Sequence, residues 1–451
     1  MKKQLKLKAA RLLSDYGMLL VLMLLAGFFS WVTLNEQYPT GSDAGNKVAR
    51  QIRHQGNVAD SVMIVARENQ EDMEFAETVE SVLKSSGWGL IRRIHGDPSD
   101  VRKAIEQAGT DGAKIDMVAC PQACSRWAVL SQRQRHPATA EAQLMVPKSY
   151  RWPDFLKTSN LLNVANQIAV IAIIAIGMTM VIITAGIDLS VGSLIALSAV
   201  VSAWFIVEIG GAREAGAPAM VAGCLLGIMV CATMGLFSGL MVTQFLVPPF
   251  IVTLGMMLVG SGLAFLIAQG ESIYHLPDSF VWLGRGADLF KLPNAVVLMI
   301  LLYTGAHILM AKMTLGRYIY AVGGNREAAR LSGVPVNRVL LFVYTTCGAL
   351  SGLGGVVTAS QLKSGAPTYG LMYELYVIAA VVVGGTSLAG GEGKVLGTLI
   401  GAFIIAVIQN GMNLTNVESY TQKVVLGLVI LGAVLVDKLK KRGWSLRPRV
   451  N

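Results

Sequence analysis

GMTMVIITAGIDLSVGS, residues 177–193, decides how this chain must be read. The run starts as unbroken apolar sequence, is interrupted by Gly186, Asp188 and Gly192, and then returns to apolar residues. An ionisable group at such a place is costly unless it faces a cavity, a partner or a helix N-terminus. Asp188, followed by Leu189 and Ser190, therefore has two readings. Its carboxylate caps the start of the next helix, where orphan amides and the positive dipole end favour it, or it touches a ligand directly.

Outward from this stretch, the composition agrees with a chain solvated largely by lipid. Of 451 residues, 53% are hydrophobic and only 15% charged, against roughly a quarter charged in soluble domains. The 48 glycines and 20 methionines suit close helix approach and irregular packing. The net charge of +10 points to membrane orientation. Lys2, Lys3, Lys6, Lys8 and Arg11 precede the first apolar run, and Lys438, Lys440, Lys441, Arg442, Arg447 and Arg449 follow the last. Both termini are thus expected in the cytoplasm. No basic patch is interleaved with aromatics, so nucleic acid is not an expected partner.

The first apolar run, residues 17–34, is long enough for one crossing and lacks an evident cleavage site after Trp31. Further spans are expected at 165–184, 191–207, 219–244, 249–268, 295–312, 339–361, 372–384, 395–409 and 424–436. This makes ten crossings, the even number that two cytoplasmic ends require. The eighth is short enough to be re-entrant or broken. The fold class is an all-α polytopic membrane protein with a small α/β domain inserted after the first helix. Its parts are residues 1–34, an extracytoplasmic domain at 35–148, a core at 149–437 and a basic tail at 438–451.

Residues 35–148 alternate strand and helix patterns: strands at 61–66, 89–94 and 115–119, helices at 71–84 and 99–107, which imply a small parallel sheet. Outside the cytoplasm Cys120 and Cys124 have two readings, an oxidised pair or two free thiols flanking Pro121. His54, His95 and His136 have no metal-ligand spacing, and no metal is expected.

With ten spans, residues 313–338 face the cytoplasm, and they carry Arg317, Arg326, Arg330 and Arg338 against Glu327 alone, which obeys the positive-inside bias. The outer loop at 270–291 has Glu271, Asp278 and Asp288 against Arg285 and Lys291. Within the inner segment, Asn325 starts a short helix over 325–331 that Gly333 and Pro335 stop. Such a helix lies along the inner face and suits a groove on a cytoplasmic partner.

A second glycine-rich break, GTSLAGG at 385–391, shares the spacing G-x-x-L-x-x-G: Gly186, Leu189 and Gly192 match Gly385, Leu388 and Gly391. A duplicated unit with helix breaks beside the substrate path explains this; coincidence is the other reading. Gly393 and Lys394 do not form a phosphate-binding loop, because Val395 stands where Ser or Thr is required. Polar residues in or at the ends of apolar spans are the candidate path lining: Thr179, Thr184, Asp188, Ser190, Glu374, Asn410, Asn413 and Gln422. Satisfaction of helix–helix contacts is the plainer role for most.

Four stretches together resemble a known family: PDFLKTSNLLNV leading into IAIGMTMVIITAGIDLSVGS; LVPPFIVTLG from Leu246; GRYIYAVGGNREAARLSGV from Gly316; and ELYVIAAVVVGGTSLAGGEGKVLGTLIGAFIIAVIQNGMNL from Glu374. The chain is similar to the permease subunits of ATP-binding-cassette importers for ribose, xylose, galactose and related monosaccharides. The resemblance covers residues 152–451. It implies a second permease, identical or a sister, two ATPase subunits that use ATP and Mg, and an extracytoplasmic sugar-binding protein. This chain itself would bind no cofactor and have no catalytic residues. Asn325, Glu327, Ala328, Ala329, Arg330 and Gly333 fall on the loop that couples such permeases to their ATPases. The 35–148 domain departs from the family, which passes from the first span to the second by a short loop. It faintly resembles one lobe of a sugar-binding protein; a neutral insertion is the default. Two other classes compete: an ion-coupled secondary transporter using Asp188 and Glu374, and a membrane-anchored ligand sensor.

Overall fold

The computed structural model describes residues 2–441, with side-chain environments from residue 17 to 435. Arg442, Arg447 and Arg449, and the side chains of Arg11 and of the flanking lysines, lie outside the described residues. The chain divides into two compact units, Leu34–Pro153 and the remainder on either side of it.

The first unit opens with helix α1 (Lys2–Val32). The second contains β1 (Leu34–Gln37), α2 (Gly41–Gln55), β2 (Val62–Ala66), α3 (Gln70–Ser85), β3 (Ile91–His95), α4 (Pro98–Thr110), β4 (Met117–Ala119), α5 (Gln122–Ser125), α6 (Ala128–Ser131), β5 (Gln143–Met145) and β6 (Tyr150–Pro153). Four strands form a parallel sheet in the order β3-β2-β4-β5. β2 alternates across it. Val62, Ile64 and Ala66 join α2 and α3 in one apolar layer, while Met63 and Val65 join α4 and α6 in the other. The sheet is covered on both faces, as a parallel sheet requires. Capping is local: the Asn69 side chain accepts from the Asp72 amide to start α3, and Asp97 and Asp100 form a reciprocal capping box for α4. β1 pairs antiparallel with β6, in register from Leu34↔Pro153 to Gln37↔Tyr150, so the unit runs slightly beyond the 35–148 limits read from the sequence. The sequence reading also omits α2 and β5. Yet α2 buries Ala44, Val48 and Ile52 at a spacing of four residues, a readable helical signal.

In this structure Cys120 and Cys124 are separate thiols, both buried in the second apolar layer with Val129 and Leu130. Burial pushes both thiols up, Cys124 to about 12 and Cys120 further.

The rest of the first unit comprises α7 (Thr158–Ile183), α8 (Val191–Glu208), α9 (Ala217–Gln244), α10 (Pro249–Ile267), α11 (Trp282–Arg285), α12 (Asn294–Lys312), α13 (Thr314–Gly324), α14 (Arg326–Leu331), α15 (Val336–Leu362), α16 (Tyr373–Val383), α17 (Val395–Leu414) and α18 (Ser419–Lys441). Among the described residues, α7, α8, α9, α10, α12, α15 and α17 are long and apolar enough to cross a membrane; Gly17–Val32 of α1, all of α16 and Ser419–Leu435 of α18 are shorter apolar helices. α7 is central, 89% of its apolar window being buried, whereas α9 and α10 bury only 22% and 28% and turn their remaining apolar surface outward, as a lipid-solvated bundle does.

Glycines set the helix spacing. A Cβ on Gly235 of α9 would meet Tyr344 O at 2.3 Å, and one on Gly348 of α15 would meet Cys231 O at 2.3 Å. Ser198 of α8 donates to Gly352 O at 2.7 Å, so α8, α9 and α15 touch nearly backbone to backbone.

Two outcomes follow. Gly348→Leu lowers the thermal midpoint of the detergent-solubilised protein, since overpacking costs about 1–3 kcal/mol, while Gly262→Leu, where a Cβ meets nothing within 4 Å, does not; differential scanning fluorimetry reads the difference. Cys120 and Cys124 resist iodoacetamide at pH 8 in the folded protein and react once it is denatured, because the thiolate is the nucleophile; mass spectrometry of the labelled peptides checks this.

Candidate functional site

α7 and α16 end by the same device at the same place. At the end of α7, Ala185 N–H donates to Ile182 O (2.9 Å) and Gly186 N–H to Val181 O (3.0 Å). At the end of α16, Gly385 N–H donates to Val382 O (2.9 Å) and Thr386 N–H to Val381 O (3.1 Å). Both are Schellman turns, with Ala185 at φ 62° and Gly385 at φ 84°. The structural correspondence is thus Ala185 with Gly385, one residue away from the spacing match between Gly186 and Gly385. The segments beyond also differ in length: α8 starts at Val191, α17 only at Val395. The shared spacing reflects a shared helix ending rather than a repeated loop.

The two endings meet beside α13. Gly391 N–H donates to Ile183 O at 2.9 Å, and a Cβ on Gly390 would lie 2.8 Å from Gly323 O and 2.9 Å from the Ala185 side chain. A Cβ on Gly323 would fall 1.7 Å from Ile183 O. Tyr320 of α13 donates to Gly393 O at 2.8 Å. Gly323, Gly390 and Tyr320 complete this junction and were not singled out from the sequence; they lie far apart along the chain and only the fold brings them together.

α14 follows directly. The Asn325 side chain accepts from the Ala328 amide at 2.9 Å, and Ala329 is buried. Glu327 and Arg330 pair at 2.8 Å on the exposed face. Gly333, at φ 82°, closes the helix: its N–H donates to Arg330 O and that of Val334 to Ala329 O, both at 3.0 Å. Leu331, absent from the sequence-derived set, is 84% exposed at the end of this helix.

Asp188 is completely buried. Its Oδ1 accepts from Ser190 N–H (3.0 Å) and Ser190 Oγ (2.6 Å). Ser190 itself holds the N-cap position of α8 without a side-chain cap, so the carboxylate builds a turn leading into α8 instead of capping its inner amides. Asp188 Oδ2 and the Tyr344 hydroxyl, also buried, have no hydrogen-bond partner among the described residues. A Cβ on Gly186 would strike that hydroxyl at 2.4 Å. Gly192, the second residue of α8, faces Glu374: a Cβ there would lie 2.3 Å from the Glu374 carboxylate and 2.6 Å from Gly370 O.

Most other candidate path residues are occupied with internal contacts. Thr179 donates to Ala175 O and shares a 2.8 Å hydrogen bond with Thr398. Thr184 donates to Val181 O. Asn410 exchanges hydrogen bonds of 2.8 and 2.9 Å with Asn160. Gln422 donates to Asn413 and to Val417 O, closing the turn between α17 and α18. Among the described residues no cluster of three or more His, Cys, Asp or Glu has metal-binding geometry.

The apolar bundle is thus penetrated by interrupted helices and holds a few buried polar groups. A protein-family model described as branched-chain amino acid transport system / permease component matches residues 160–434. The ribose import permease protein of Escherichia coli is 44% identical over 293 residues, 64% of this chain and 88% of that protein. A probable ABC transporter permease protein of Sinorhizobium fredii is 38% identical over 296 residues, 66% of this chain and 84% of that protein. The L-arabinose transport system permease protein of Escherichia coli is 36% identical over 290 residues, 64% and 86% respectively. No solved structure matches. The chain belongs to this family of permease components.

Gly323→Ala, which has no space at Ile183 O, therefore abolishes transport, whereas Gly324→Ala, where a Cβ meets nothing within 4 Å, leaves it intact. Uptake by membrane vesicles carrying each variant is the measurement.

Proposed function

We propose that the chain imports a monosaccharide as the membrane-spanning half of an ABC importer, working as one of two permeases, identical or sisters. A separate pair of ATPases hydrolyses ATP with Mg below, and an extracytoplasmic sugar-binding protein delivers the sugar above. Relatives named for ribose and L-arabinose import support the substrate class. Ten apolar segments cross the inner membrane, α16 doing so only together with the non-helical residues 363–372 that precede it, with both termini and α13–α14 in the cytoplasm. Residues 34–153 then lie outside, as an inserted α/β unit.

The observation that carries the mechanism is the wiring of α13. An ATPase docked on Leu331, Glu327 and their neighbours moves α14. α13 is continuous with α14 through Asn325 and is held to the ends of α7 and α16 by Gly323, Gly391 and Tyr320. Displacement of the helix pair is therefore passed to the breaks at the ends of α7 and α16, the first of which leads directly to Asp188. Conformational change of this kind needs two discrete packings, and backbone-to-backbone contacts move as blocks. No covalent bond is made or broken by the chain.

The purified chain hydrolyses no ATP by itself. Leu331→Asp and Glu327→Arg lose co-purification of the ATPase, and with it sugar uptake, at unchanged yield and thermal midpoint. The Glu327–Arg330 pair is an exposed ion pair that contributes little to folding, while losing a central interface anchor commonly costs about 2 kcal/mol or more in association. Wild-type uptake in both variants would exclude α14 as the docking helix.

A further inference from the structure

α16 has 11 residues, a length of about 16 Å at 1.5 Å per residue, roughly half of a 30 Å hydrocarbon core. The chain reaches its start by running back along α8. A Cβ on Gly365 would touch Ala199 and Ala203, and one on Gly370 would touch Gly192 O and Ile195. α16 thus begins well inside the bundle, beside the first residues of α8. Broken helices that start inside a bundle are where transporters place their substrates.

At that start lies a partly enclosed cavity of about 180 Å³ between α7, α16 and α17. Gln167, Gln409, Tyr373 and Tyr376 line it beside the apolar Ile171 and Ala406. The two tyrosine rings meet edge to face with centroids 6.2 Å apart. No charged side chain lines it, since Glu374 turns toward Gly192 and Gly370. The Asn160–Asn410 pair closes the α7–α17 seam next to it. The polar tips of Gln167, Gln409, Tyr373 and Tyr376 make no hydrogen bond to any described residue, whereas nearby Asn160, Asn410 and Gln361 all do.

Four unspent polar groups, each able to donate and accept, stand around an apolar and aromatic floor. That combination fits a small neutral polyol. Hydroxyls pair with the amides and phenols, and the C–H face of a ring lies on the tyrosines. The volume is below the roughly 300–1,000 Å³ of drug-sized sites, and an uncharged lining disfavours phosphorylated or carboxylated guests.

We propose that this cavity is the site where a neutral monosaccharide rests during passage, held by Gln167 and Gln409 and stacked on Tyr373 and Tyr376. The assignment rests on the importer reading and adds the place and contacts of the sugar. The test reconstitutes the complete transporter in proteoliposomes and follows ATP-driven uptake of D-ribose, D-xylose, L-arabinose, D-galactose and D-ribose 5-phosphate. Wild type carries at least one neutral sugar and not the phosphate. Gln167→Leu and Gln409→Leu each reduce the maximal uptake rate about tenfold and weaken discrimination against the corresponding deoxy sugar, while ATPase stimulation by the binding protein and the thermal midpoint persist. Ala406→Trp, which fills the cavity, blocks uptake. Should Ala406→Trp fail to fold, the two glutamine variants decide, because those amides bond to no described residue. Undiminished uptake in both glutamine variants overturns the site while leaving the importer reading intact. Preferential uptake of the phosphate overturns the neutral guest. Absence of ATP-driven uptake of every probe by wild type overturns the importer reading beneath it.

Discussion

Backbone amides and carbonyls cannot be left unpaired in hydrocarbon, and this permease carries non-helical stretches between its apolar helices, among them residues 184–190, 363–372 and 384–394. Everything around them serves to pair and bury that backbone. Thr253 of α10 donates to Ile187 O at 3.2 Å, Gly391 N–H to Ile183 O and Ser387 N–H to Glu392 O, and Gly365 exchanges a two-way bridge with Ile273. α7, α8 and α15 are pressed together over glycines so that these stretches meet protein. Interrupting a helix inside the bundle is affordable only where such partners exist, which is why the interruptions cluster.

The same requirement explains the fate of the polar residues. Thr179, Thr184, Asn410, Asn413 and Gln422 are spent on neighbours, as bundle polar groups usually are. Asp188 sits just before the start of α8 and Glu374 at the start of α16, with Glu374 against Gly192 of α8. An acid placed at a break has a different environment from an amide in mid-helix, and the distinction is one of depth and direction.

Local signals were therefore legible and long-range ones were not. Asn325 as a helix start and Gly333 as its stop were readable because capping lies within a few residues, and the short α16 was marked by its length. β2, β3 and α4 followed from periodicity and turn residues. α13 gives a weak local signal because three of its 11 residues, Gly316, Gly323 and Gly324, are poor helix formers. β5 is only three residues long and has no period to detect. The junction of Gly323 with Ile183 and Gly391, and the grouping of Gln167, Tyr373, Tyr376 and Gln409, depend on contacts across hundreds of residues. The spacing match between Gly186 and Gly385 was a real signal misaligned by one residue, since Ala185 occupies the left-handed position that glycine takes at 385.

One hydrogen bond bears on how the α/β unit came to be there. Asp154 N–H donates to Thr33 O at 2.9 Å, so the two points at which the helical unit is interrupted are neighbours across a single peptide-to-peptide contact. The unit between them begins and ends on paired strands, β1 and β6, so its own ends also adjoin. A module with adjoining ends, set into a gap of that width, can be gained or lost in evolution without re-threading any helix.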